Sequence, residues 1–181
     1  CALPIFKEIF ESKNLNWKYF SASTMDPWID FIGVPKTVNK NGQDVLELVK
    51  PQEFANDEVE AIFFDEFNRA PAKVINAVME LIQFKSINGK KFNNLKVVWA
   101  AINPYDEEGT YSVEQIDAAT KDRFHIQIQI PLELDTSYLI KTHGDISKPF
   151  IKWWNELPKD LKIQVSPRRL DYAIQVHKAD G

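Results

Sequence analysis

A short apolar run that ends in two acids constrains the fold of this chain more than any other segment. Residues 61–64 are all apolar, and Asp65 and Glu66 follow them directly. A run without polar alternation needs apolar neighbours on both faces, which is typical of a central strand in a parallel sheet. Because α/β proteins bind ligands at the carboxyl ends of such strands, we expect Asp65 and Glu66 in a binding crevice. One carboxylate there can hold Mg²⁺ and the other can polarise an attacking water, or the pair simply caps the next helix.

A second apolar run, residues 97–102, predicts another buried strand, and it ends at Asn103. The asparagine side chain offers both a donor and an acceptor, so Asn103 is suited to hold a water against a phosphate. The alternative is a turn formed by Asn103 and the proline that follows it.

Apolar periodicity and turn residues divide the rest of the chain into further elements. The predicted helices lie at 3–12, from Pro71 onwards, and at 116–123, 133–144, 147–157 and 168–178, with a helical turn at 25–33. Strands are predicted at 17–21, on either side of a turn at 39–43, and at 124–130. A hairpin is predicted at 84–92, with Asn88 and Gly89 at its two-residue turn. Residues 105–115 are expected to form an acidic loop and residues 158–167 a connector. Strands and helices alternate up to Pro131 and helices alone follow, which predicts an α/β core with a parallel sheet over 1–131 and a small all-α region over 132–181.

Charge and composition narrow the classes of protein. The chain has 22 basic and 26 acidic residues, a net charge of −4, which argues against nonspecific nucleic-acid binding through bulk charge. The longest apolar runs are far too short to span a bilayer, so no membrane partner is expected. Cys1 is the single cysteine, so no internal disulfide can form. That composition fits a reducing compartment, and we expect a cytoplasmic protein.

Two arginines stand where an anion would explain them. Arg123 directly precedes the predicted strand at 124–130, and it is suited to reach the nucleotide of a neighbouring subunit as an arginine finger. The alternative for Arg123 is a surface ion pair of little energetic weight. Arg168 follows a Ser-Pro pair at the start of a helix, an end that is already positive, so it makes better sense if it faces an anion. The alternative for Arg168 is a solvated basic turn.

Taken in order along the chain, these features resemble the AAA+ ATPases, and more narrowly the MoxR group and the related dynein-type branch. Residues 63–71, Phe-Phe-Asp-Glu-Phe-Asn-Arg-Ala-Pro, resemble the Walker B segment of that group with its Asn-Arg-Ala-Pro extension. The hairpin at 84–92 falls where the group has its helix-2 hairpin. Asn103 matches sensor 1, Arg123 the arginine finger and Arg168 the sensor 2 arginine. The resemblance covers nearly the whole chain.

The resemblance implies a three-layer P-loop NTPase core followed by a helical lid, a ring oligomer, commonly a hexamer, and ATP bound between subunits. Asp65 would coordinate Mg²⁺, directly or through water, and Glu66 would activate the attacking water. Asn103 would position that water or the γ-phosphate. Arg123 would act in trans on the ATP of the adjacent subunit, and Arg168 would couple the nucleotide state to the lid angle. The implied output is remodelling or maturation of a protein partner.

One element of that family is absent from the sequence. No G-x-x-x-x-G-K-[ST] occurs, and none of the six glycines lies in such a pattern. This Walker A loop supplies backbone N–H groups, a lysine and a hydroxyl to the phosphates and Mg²⁺. Residues 3–11 and 17–21 resemble the helix and strand that follow the loop, so we expect it to precede Cys1, and the chain as given should bind ATP poorly. Two alternatives stay open: a non-hydrolysing structural or regulatory ring subunit with a degenerate site, and a nucleic-acid-linked motor of the same clade, which would use GTP.

Overall fold

A computed structural model describes residues 3–54, 56–103 and 116–180 of the chain. The chain divides into two compact units, residues 2–126 and residues 127–181. The helices of the first unit are α1 (Leu3–Ser12), α2 (Ala72–Phe84) and α3 (Ala118–Asp122). Its strands are β1 (Trp17–Ser21), β2 (Val34–Lys40), β3 (Gln43–Val49), β4 (Ala61–Asp65), β5 (Ser86–Ile87), β6 (Lys90–Lys91) and β7 (Val97–Ala100). The helices of the second unit are α4 (Thr136–His143), α5 (Ser147–Glu156), α6 (Lys159–Gln164) and α7 (Pro167–Asp180).

The central sheet of the first unit has three strands in the order β1-β4-β7. Both pairings are parallel, and the register runs from Trp17 opposite Ala61 to Ser21 opposite Asp65. β4 is therefore the middle strand, as the unbroken apolar run predicts.

The four apolar residues of β4 alternate between two cores. Ala61 and Phe63 pack with Phe10 of α1 on one face. Ile62 and Phe64 belong to the larger core on the other face, which includes the buried side of α2. All four of these β4 side chains are fully buried. Because helices cover both faces of a parallel sheet, the predicted α/β fold is confirmed.

Local turn chemistry explains the shorter elements of this unit. A π-helical turn over Pro27–Ile32 is capped by the Asp26 carboxylate and ends at Gly33, whose φ is +102°. The β5–β6 hairpin turns at Asn88 and Gly89, both with positive φ, as a two-residue type I′ turn requires. Both features were expected from the sequence.

The second unit is helical and has its own small core. Leu139, Trp154, Leu170 and Ile174 form that core. The Trp154 indole N–H donates to the carbonyl of Val165 at 2.6 Å, which satisfies the polar atom of a buried ring. This unit therefore has an apolar centre independent of the sheet.

Two sequence predictions were wrong. Residues 124–130 do not form a strand, and the alternating Ile126, Ile128 and Ile130 are 77%, 81% and 55% exposed. A strand needs backbone pairing with a neighbouring strand, and none of the strands in the described ranges pairs with this segment. The predicted connector at 158–167 contains α6. Pro158 directly precedes this helix, and most of the residues around Leu161 and Ile163 have good helix propensity.

β7 is shorter than predicted, because it ends at Ala100 rather than at residue 102. The acidic loop predicted at 105–115 lies outside the described residues. None of the helices in the described ranges has the length and apolar character needed to cross a membrane.

Candidate functional site

The carboxyl ends of β1, β4 and β7 lie at one edge of the sheet because all three strands are parallel. Just beyond β1, the Ala22 N–H donates to the Asp65 carbonyl at 2.9 Å. Just beyond β7, the Ala101 N–H donates to the Phe64 carbonyl at 2.8 Å. The segments that follow the two outer strands are thus hydrogen-bonded to the last two residues of β4, Phe64 and Asp65.

Glu66 leaves the sheet through an unusual backbone conformation. Its φ is 53° and its ψ is 38°, the left-handed helical region, and a single 3-10 turn over Phe67–Arg69 follows. The Asp65 carboxylate accepts the Glu66 N–H at 3.0 Å. Residues other than glycine adopt this conformation at a cost, and such strain concentrates at functional sites.

Both carboxylate oxygens of Glu66 are hydrogen-bonded. Ser23 Oγ donates to Oε2 at 3.0 Å, and Arg69 Nη1 donates to Oε1 at 3.0 Å. Ser21 Oγ lies 3.2 Å from Ser23 Oγ and extends the chain of contacts to the end of β1. About a third of the Glu66 and Arg69 side chains is exposed, so this carboxylate is oriented by the protein and still reachable from solvent.

Asn103 is held through its backbone. The buried Asn68 side chain donates from Nδ2 to the Asn103 carbonyl at 2.9 Å and accepts the Asn103 N–H on Oδ1 at 3.3 Å. Asn68 lies two residues after Glu66, so the candidate base and the candidate water-positioning residue are fixed to the same turn.

Tyr19 of β1 lies opposite Phe63 of β4, and the centroids of the two rings are 6.0 Å apart. Burial raises the pKa of its phenol above the ordinary value, and the negative charges of Asp65 and Glu66 raise it further. The phenol therefore stays neutral at neutral pH.

Arg123 is connected to this region through its neighbour in sequence. The Phe124 ring meets the fully buried Phe67 ring edge-on at 5.9 Å, and Phe67 follows Glu66. Arg123 directly follows α3. Its guanidinium is exposed and donates to the Ala119 carbonyl at 2.9 Å.

Arg168 lies in the second unit, in the first turn of α7, where it is exposed. Its neighbour Arg169 donates from Nη1 to the Gln164 carbonyl at 2.9 Å. The contacts described above bring together Asp65, Glu66 and Asn103, which all lie in the first unit.

The supporting residues Ser23 and Asn68 were not predicted from the sequence. Ser23 had a usable signal, because the end of a strand that neighbours β4 must lie beside Asp65. Asn68 gave a weaker signal, a polar residue between the apolar Phe67 and a helix start, and its buried position appears only in the structure.

Asp65 is the residue at this edge that could hold a Mg²⁺ ion. Within the described ranges, no three His, Cys, Asp or Glu side chains come together as a metal site. Mg²⁺ keeps several waters and takes one or two carboxylates beside substrate phosphates, so the single Asp65 carboxylate at the sheet edge fits it.

Comparison with curated proteins finds a relative of part of the chain. The chain is 40% identical over 70 residues to the chaperone MoxR1 of Mycobacterium tuberculosis. The chain is similar to MoxR-like AAA+ ATPases. The matched segment is 36% of this chain and 18% of MoxR1, so the chain spans less than a fifth of that relative.

The chain also resembles the crystal structure of a candidate ATPase from Cytophaga hutchinsonii, with 28% sequence identity and a TM-score of 0.48. The alignment covers 74% of this chain and 38% of the Cytophaga hutchinsonii chain. No family model matches the chain.

Proposed function

We propose that this chain contributes the hydrolytic and sensing part of a MoxR-like AAA+ subunit, which uses ATP to remodel or mature a protein partner. We further propose that the subunit works in the cytoplasm as a ring, most simply a hexamer. The observation that supports this best is the arrangement at the carboxyl edge of β4, where the Glu66 carboxylate is held by Ser23 and Arg69. The sequence similarity to MoxR1 supports the same proposal.

Each acid at this edge would have a separate task. Asp65 would hold Mg²⁺, directly or through water, and the bound metal would neutralise charge on the phosphates. Glu66 would orient and polarise the attacking water, and its two hydrogen bonds keep the carboxylate in one orientation. Asn103 would donate from its side-chain amide to hold that water or the γ-phosphate.

The two arginines would act on charge that develops at the phosphates. Arg123 would reach the ATP of the adjacent subunit, since a guanidinium stabilises that charge. Arg168 would couple the nucleotide state to the position of the helical unit.

The test is ATP turnover by the natural full-length protein and its Glu66→Gln variant. Glutamine keeps the shape of the side chain but cannot act as a base, so we expect turnover to fall by roughly 10²–10⁴-fold. Binding of ATP should persist. Glu8→Gln, which changes an exposed acid on α1, is the matched control and should hydrolyse ATP normally. Unchanged turnover in Glu66→Gln would show that Glu66 is not the base.

A further inference from the structure

A buried asparagine in the turn after Glu66 has no role in the proposed chemistry. Asn68 is only 4% exposed. A buried amide is costly unless both its donor and its acceptor are satisfied. Both are satisfied by one residue, because the Asn68 amide group binds the backbone carbonyl and the backbone N–H of Asn103 at 2.9 and 3.3 Å.

These two bonds continue the pairing of β4 with β7 beyond the carboxyl ends of the two strands. β4 and β7 pair up to Phe64 opposite Ala100. The next contacts are also between backbones: Ala101 donates to Phe64 at 2.8 Å, and Phe67 donates to Ala101 at 2.9 Å. After Phe67 the main chain turns into α2 and can no longer pair, so the Asn68 side chain takes the place of a peptide group.

The asparagine side chain matches this task in two ways. Its amide presents one donor and one acceptor side by side, as a peptide group does. Aspartate offers no donor to the Asn103 carbonyl, and alanine offers neither group.

We propose that Asn68 is a positioning residue that fixes the backbone of Asn103 and so aims the Asn103 side chain for hydrolysis. This inference rests on the proposed function, in which Asn103 holds the attacking water or the γ-phosphate. Asn68 acts through Asn103 and touches no reactant.

The test is a double-mutant cycle on ATP hydrolysis by the full-length protein, with Asn68→Ala, Asn103→Ala and the double variant. Misplacement of a positioning group costs up to about 10²-fold, so we expect kcat to fall roughly 10- to 100-fold in Asn68→Ala while KM changes little. If Asn68 acts only through Asn103, the double variant should be no slower than Asn103→Ala alone.

Two controls separate positioning from general destabilisation. Val74→Ala truncates a fully buried side chain of the larger core and should lower stability without lowering kcat. Asn94→Ala removes a side-chain bond to the Asp57 carbonyl, formed by an exposed residue, and should leave kcat unchanged. Asn68→Asp keeps the acceptor for the Asn103 N–H and should fall between wild type and Asn68→Ala.

Hydrogen exchange provides a readout that does not depend on activity. The Asn103 N–H should be protected in the wild type and should exchange faster in Asn68→Ala, while the Ala101 N–H stays protected. Equal exchange in both proteins would overturn the inference.

The outcomes also distinguish this inference from the proposed function. The inference is overturned if Asn103→Ala is slow while Asn68→Ala keeps its kcat, or if the two losses multiply in the double variant. Normal turnover in Asn103→Ala overturns it as well. The proposed function fails separately, if Glu66→Gln hydrolyses ATP normally.

Discussion

Replacing Glu66 by glycine should give a more stable protein than replacing it by alanine. Both substitutions remove the carboxylate and its bonds to Ser23 and Arg69, so those losses cancel in the comparison. What remains is the backbone, which at Glu66 has φ 53° and ψ 38°. Glycine adopts this conformation without the clash that a Cβ introduces.

The size of the difference follows from two opposing terms. A Cβ in the left-handed region costs roughly 1–2 kcal/mol. Glycine in turn loses more chain entropy on folding, which costs roughly 0.5–1 kcal/mol relative to alanine. We therefore expect Glu66→Gly to be more stable than Glu66→Ala by up to about 1.5 kcal/mol, and by roughly 0.75 kcal/mol at the middle of both ranges.

The measurement is urea unfolding of both variants, followed by tryptophan fluorescence, with the same pair of substitutions at Glu80 as a control. Glu80 lies inside α2, where φ is negative and glycine is disfavoured. The order should reverse there, with Glu80→Ala the more stable variant by roughly 0.5–1 kcal/mol. If Glu66→Ala is at least as stable as Glu66→Gly, the reasoning about strain at Glu66 is refuted.

Two further predictions concern the first unit. In Gly33→Ala, the new Cβ would lie 2.0 Å from the Val49 carbonyl oxygen. Overpacking and the strain of a positive φ add together, so we expect the free energy of unfolding, measured in urea, to fall by roughly 2–5 kcal/mol. In Gly89→Ala the new Cβ would meet open space, so the free energy of unfolding should fall by only roughly 1–2 kcal/mol. Equal losses in the two variants would contradict this account. The hydrogen bond from the Lys96 side chain lowers the pKa of Glu60 in the folded state. The stability that Glu60 contributes is therefore present above its unfolded-state pKa, and it is lost as the pH falls through the lowered folded-state pKa. The gap in unfolding free energy between wild type and Glu60→Gln should narrow on acidification, and a gap that widens would reverse the assigned sign.

The elements that were predicted correctly share a cause that is local in sequence. The apolar run of β4 has no polar residue to place toward solvent, so it had to be the middle strand. Asn88 and Gly89 tolerate the positive φ of a type I′ turn, so the hairpin followed from a dipeptide.

The elements that were missed depend on neighbours distant in sequence. Residues 126–130 alternate like a strand, but alternation does not provide the partner that a strand needs. The bond from Ser23 to Glu66 spans 43 positions, and the bonds from Asn68 to Asn103 span 35. The sequence could place the strand ends at one edge, but which side chains meet there depends on register.

The turn after β4 explains why Glu66 can remain in a strained conformation. By leaving the sheet through the left-handed region, the chain brings the Phe67 N–H to Ala101 and the Asn68 amide to Asn103. Each hydrogen bond contributes roughly 0.5–1.5 kcal/mol, so these three bonds together offset the roughly 1–2 kcal/mol of strain. The strain at the candidate base and the anchoring of Asn103 are therefore two consequences of the same turn.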